Sequence, residues 1–168
     1  TVLTGTEEAI TQHWADLVIG TSVPKGYLGE PLAEMHFVAV CHPQHPLAFL
    51  SSPIDPNELA QHLQLVIKDT SRSPDEKNGW LKSEQRWTVS EFDTAIDLLL
   101  NSVGFCWLPE HKVSTKLASG SLKKLSIEGS SFRIISAFLV KPKPDNIGPG
   151  TDMLYQQLIA HRQLTEYP

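Results

Sequence analysis

Cysteine is nearly absent from this chain: Cys41 and Cys106 are the two such residues in 168. A disulfide-stapled scaffold is therefore not expected. Both thiols sit inside apolar runs, Phe37 to Cys41 and Val103 to Leu108, where cysteine behaves as a small hydrophobe, so buried, reduced thiols are the expectation. Positive charge is also scarce. Lys and Arg number 14 against 19 Asp and Glu, giving a formal charge of -5. Gripping a polyanion requires clustered Lys and Arg to displace counterions, so the chain is not expected to hold DNA by itself. No apolar run approaches the roughly 18 residues of a membrane span. The N-terminus lacks the basic, apolar and small-residue order of a signal peptide, and the chain is read as cytoplasmic, with no membrane partner. It opens on Thr1 rather than methionine, as an excised piece of a longer protein would. A G-x-S-x-G elbow, a Walker loop and a dinucleotide fingerprint are all missing, so no catalytic residue, cofactor or metal is assigned and the chain is not read as an enzyme.

What is present describes a globular unit large enough for a substantial core and able to be bilobed, with 40% hydrophobic and 20% charged residues. Short apolar runs alternate with helical patterns, the sign of βα units and a largely parallel sheet. Thr1 to Thr4 reads as a strand, Glu7 to Ile10 begins a helix with acids in its first turn, and Asp16 to Gly20 is the next strand. Residues 21–35, with Pro24, Gly26, Gly29 and Pro31, read as a loop ending before a strand at Phe37. Asp55, Pro56 and Glu58 fit the cap, first-turn proline and third-position acid of a helix. Strands follow at Gln64 to Lys68 and Arg86 to Val89, around a polar, turn-rich stretch over 69–80. Ser90 is the expected N-cap of a helix from Glu91 to Ser102, whose Phe92, Ala95, Ile96 and Leu99 recur at the spacing of a buried face. Gly104 stops it. Phe105 to Leu108 is a buried strand containing Trp107, Pro109 opens a helix to about Ala118, Ile134 to Val140 is a strand, 142–150 a loop, and 151 to about 163 a final amphipathic helix.

The run HFVAVCHPQHPLA, residues 36–48, places two histidines beside a cysteine. His42 and His45 each precede a proline, which forbids the helix that would align them as ligands, and a structural zinc needs about four ligands in tetrahedral array. A turn leaving the sheet is the better reading.

ADLVIG (15–20), FVAVCHPQHPLA (37–48), WTVSEFDTAIDLLLNSVGFCWLP (87–109) and LASGSLKKL (117–125), in this order and spacing, resemble the effector-binding domain of LysR-type transcriptional regulators. The resemblance covers nearly the whole chain. It implies an α/β, two-lobed, periplasmic-binding-protein-like (type II) fold: mixed, mostly parallel sheets flanked by helices, two crossover strands and a cleft between the lobes. Lobe one would comprise 1–47 plus 131–168, and lobe two 48–130. Residues corresponding to the helix-turn-helix, and to the first strand and helix of the effector domain, have no counterpart here. The implied activity is ligand sensing: a small-molecule effector biases the geometry of a homodimer or tetramer whose absent N-terminal domains contact promoter DNA.

Candidate effector-binding residues follow from the rule that ligands in open α/β sheets lie beyond the carboxyl ends of strands. Asp69, Thr70, Ser71 and Arg72 follow the strand ending at Lys68, and Arg72 would pair with a carboxylate or phosphate, hinting at an anionic effector. Thr21 and Ser22 follow the strand ending at Gly20. Ser90, Glu91 and Phe92 occupy a strand-to-helix turn whose N–H groups are free. Trp80 and Trp87 are assigned to packing rather than to stacking on a ligand. A solute-binding protein of a transporter, or a small enzyme, would share the scaffold. The first needs a secretory signal and the second an acid, base or nucleophile set that the residues do not assemble.

Overall fold

Alternation of apolar residues produces the longest strand. In the computed structural model, which describes residues 5–68, 83–129, 132–145 and 147–162, helix α1 (Gly5–Thr11) leads to strand β1 (Val18–Gly20), and β2 (Gly29–Cys41) runs for 13 residues. A 3-10 turn over Pro46–Phe49 and helix α2 (Pro56–Ala60) precede β3 (Gln64–Ile67). Then come β4 (Arg86–Val89), α3 (Phe92–Leu100), β5 (Phe105–Pro109) and α4 (Glu110–Ala118). The short β6 (Lys123–Lys124), β7 (Phe132–Val140) and α5 (Pro149–Ala160) complete the described elements. The sheet is mixed, in the order β1-β7-β2-β5-β3-β4, with β6 on β2.

Packing divides the chain into two units, and β2 and β7 are the strands that belong to both. The change from the first unit to the second falls between Met35 and His36, and the return between Ile134 and Ile135. The first change lies inside β2, ahead of the His/Pro turn. From Phe37 onward β2 is paired antiparallel to β5 over Phe37↔Pro109 to Cys41↔Phe105, which commits those residues to the second unit.

The second unit has a core on each face of its sheet. Odd positions of β2 and β5 (Ala39, Cys41, Phe105, Trp107) pack with Leu47, Ile54, Leu59, Leu125 and Ile127. Even positions (Val38, Val40, Cys106, Leu108) pack with Leu65, Ala95, Ile96, Leu99, Val113 and Leu122. This is the two-residue period of a strand covered on both sides. Gly104 sits at φ +61, and a Cβ there would lie 2.4 Å from the Leu63 carbonyl oxygen, so the turn from α3 into β5 requires glycine. In the first unit Ala9, Ile10, Val18 and Val140 form the buried cluster, with β1 antiparallel to β7.

Four expectations need correction. Residues 29–35 are strand, not loop. Among the described pairs the β5 side of β2 begins at Phe37, so Pro31 lies where no partner on that side asks for its missing N–H. Ser90 does not cap α3. Glu91 is extended (φ -138, ψ 152) and occupies the N-cap without a side-chain cap bond, one residue later than expected. Pro109 is the last residue of β5 and the N-cap of α4 rather than its first helical residue. The last helix begins earlier, with Pro149 in its first turn, and none of its residues is fully buried among the described residues. Asp55 does cap α2, accepting from Asn57 N at 2.7 Å. The expected strand at Thr1 to Thr4 and the stretch 69–80 lie outside the described residues.

Candidate functional site

The second unit converges its strand ends on one edge. Strands β3 and β4 are parallel with Ile67 opposite Val89, and Lys68 N donates to the Val89 carbonyl at 2.7 Å. Strand β5 is parallel to β3, so the carboxyl ends of β3, β4 and β5 share that edge, and antiparallel β2 enters from it at Phe37. Helices α3 and α4 start there, directly after β4 and β5. Neither has a side-chain cap bond, which leaves first-turn N–H groups available at the positive ends of two helix dipoles. Each first turn holds one acid already engaged by lysine: Asp93 with Lys112 at 3.5 Å and Glu110 with Lys124 at 3.0 Å. These two charges are compensated, whereas Glu91 at the N-cap of α3 has no ion pair among the described residues.

Ser90 and Glu91 are exposed at this edge and Phe92 is half-buried. The Phe92 ring lies 6.4 Å from that of Phe37, with Lys112 Nζ 6.0 Å from its centroid. The expected trio is thus brought together, with Phe92 as a packed wall and the other two facing solvent. In the first unit Thr21 is half-buried, and the Ser22 hydroxyl donates to Glu7 Oε1, which ties the end of β1 to α1. Gly20 permits that approach, since a Cβ there would meet Thr6 Oγ1 at 2.9 Å. Asp69, Thr70, Ser71 and Arg72, with Trp80, lie outside the described residues. Trp87 is 55% exposed on β4, so among the described residues it is only partly packed.

Reasoning from the sequence missed Arg133. Its guanidinium carbon stands 4.9 Å from the Trp107 ring centroid, and among the described residues no carboxylate pairs with it. Burial lowers its pKa from the ordinary guanidinium value. Trp107 is 9% exposed and its Nε1 is buried with no hydrogen-bond partner among the described residues. Nothing local flags Arg133, because its setting is made by β5 and β7 rather than by its neighbours in sequence.

The His/Pro run acts as a turn. His45 Nδ1 accepts from Leu47 N and His42 Nδ1 from Gln44 N, both at 3.2 Å. The His45 ring packs edge-on to His62 at 5.5 Å. Among the described residues no group of three or more His, Cys, Asp or Glu is arranged to hold a metal. Cys41 and Cys106 are free and buried, and burial pushes their thiols up to about 11 and about 12.

Comparison with known proteins matches the family described as LysR substrate binding domain to residues 2–163. The uncharacterized HTH-type transcriptional regulator YeeY of Escherichia coli K12 is 29% identical over 126 residues, 72% of this chain and 41% of that protein. The chain thus spans about two fifths of that relative's length. Among solved structures, the regulatory domain of the LysR family regulator MetR from Neisseria meningitidis has a TM-score of 0.69 at 20% identity, covering 90% of this chain and 71% of that one. The Synechocystis CcmR regulatory domain in complex with 2-PG also scores 0.69, at 15% identity, covering 98% and 82%. These likenesses give the fold, that of a LysR regulatory domain. With the family match spanning almost every residue, the chain belongs to the LysR substrate binding domain family.

Proposed function

We propose that this chain is the ligand-sensing part of a cytoplasmic, LysR-type transcriptional regulator and that it binds its effector without turning it over. The observation that carries the reading is the shared carboxyl edge of β3, β4 and β5, where two helix N-termini without side-chain caps favour an anionic group. Ser90, Glu91 and Phe92 contribute at that edge, and Thr21, Ser22 and the segment Asp69 to Arg72 are the further effector contacts. CcmR was solved with a small molecule, 2-PG, which supports the same role here by analogy of fold. Regulation follows if the effector binds two arrangements of an oligomer unequally, since a ligand shifts such an equilibrium only by its differential affinity. Exposed Met153 and Leu154 on α5 support a homodimer, with a tetramer as the larger assembly. Promoter contact belongs to a DNA-binding domain outside these residues. No helix among the described residues is long and apolar enough to cross a membrane.

A thermal-shift screen against a metabolite panel tests this reading. A true effector at about 100 times its Kd adds about 2.7 kcal/mol of stability. Paired Thr70→Ala and Ser71→Ala substitutions should abolish the shift. An undiminished shift places the effector elsewhere, and turnover of the bound molecule rules out a pure sensor.

A further inference from the structure

The pairing of Arg133 with Trp107 has no use in the reading above. Within the second unit a half-buried guanidinium lies against the indole face, with no carboxylate opposite it among the described residues. A cation withdrawn from water without an anion is costly, and stacking on an aromatic face recovers only part of that cost. The indole N–H beside it is a second incomplete polar group: buried, a donor only, and without an acceptor among the described residues. Trp107 lies two residues before Pro109, where β5 ends and α4 begins. The incomplete pair therefore lies close to an edge that already presents N–H groups and whose first-turn acids, Asp93 and Glu110, are each engaged by lysine.

We propose that Arg133 is the anion-recognising residue for a small carboxylate ligand, its planar fork engaging both carboxylate oxygens while Trp107 holds the guanidinium in plane. This rests on the sensing role proposed above and names the ligand class. A carboxylate matches the fork with two parallel N–H···O bonds, which a rounded cation such as lysine cannot make. Arg133 is a specificity-determining residue, and Trp107 a positioning residue that acts through it.

Trp107 is a built-in reporter. With Trp14, Trp80 and Trp87 replaced by Phe, its emission is titrated with acetate, lactate and benzoate, each against its neutral amide, and with inorganic phosphate. At least one carboxylate should give a saturable change while its amide gives none. Arg133→Met should weaken that binding about tenfold or more, with Arg133→Lys in between. Thermal melts of both variants verify folding, and the lysine variant keeps the charge if the methionine variant unfolds. Carboxylate binding equal in wild type and a folded Arg133→Met overturns the assignment, as does a response to phosphate alone. A hit in the metabolite screen that leaves Trp107 unchanged removes the Arg133 site and spares the sensing role. Silence in both assays removes the two together.

Discussion

The two units differ in how much of their apolar surface they hide. In the second, α3 buries Ala95, Ile96 and Leu99 and α4 buries Val113 against a sheet covered on both faces. In the first, no residue of α5 is fully buried among the described residues, Met153 and Leu154 are 68% and 53% exposed, and Leu28 is 90% exposed. Burial of apolar area is the dominant favourable contribution to folding, at roughly 25 cal/mol per Å². Among the described residues most of the buried apolar side chains therefore belong to the second unit, which should contribute most of the stability, whereas the first presents exposed apolar residues on α5.

The largest effect is expected of Leu99→Ala, which opens a cavity at a fully buried site of α3 and should cost about 2–5 kcal/mol in urea melts. A loss below about 1 kcal/mol would mean that the second unit is not the stabilising one. Next comes Gly104→Ala, where a Cβ meets backbone and φ is positive, with an expected loss of about 1–3 kcal/mol. Gly120→Ala shares the positive φ but meets open space, so its loss should be the smaller of the two.

A smaller effect should appear with pH. Burial first, then neighbouring His62 and His42, lowers the pKa of His45, and its neutral Nδ1 accepts from Leu47 N. A folded pKa below the unfolded value of about 6.5 means that the stabilisation is complete above that pH and is lost as pH falls through the folded value. Melts from pH 7.5 downward should show this decline, and His45→Asn should flatten it. Smallest of all, Leu154→Ser at an exposed position of α5 should change stability by no more than about 0.5 kcal/mol in the monomer. A large loss there would show that the first unit hides more than its exposure indicates.

Local signals with local causes were legible. Asp55-Pro56-Glu58 announced α2, the i, i+3, i+4 spacing announced the buried face of α3, and Arg86–Val89 was read to the residue. The family and its two-lobed α/β fold were legible too, because motif order survives where single motifs are loose. Features set by distant partners were not. The first half of β2 looked like a loop because Gly29 and Pro31 are poor strand formers, and the strand exists through its place in the sheet order. The cap of α3 went to Glu91 because the last residues of β4 are set by pairing with β3, which shifts the helix start by one. Of the candidate site, the turn over Ser90, Glu91 and Phe92 could be found by its position after a strand. Arg133 could not, since a lone arginine opening an apolar run carries no mark of the tryptophan it will meet 26 residues away in sequence.

The two native thiols have a practical consequence. At pH 7 a thiol pushed up to about 11 or about 12 is almost entirely protonated, and the thiolate is the form that reacts with alkylating dyes and spin labels. A cysteine introduced at an exposed position such as Ser90 would therefore react first. The chain can carry a single spectroscopic label with both of its own cysteines left in place.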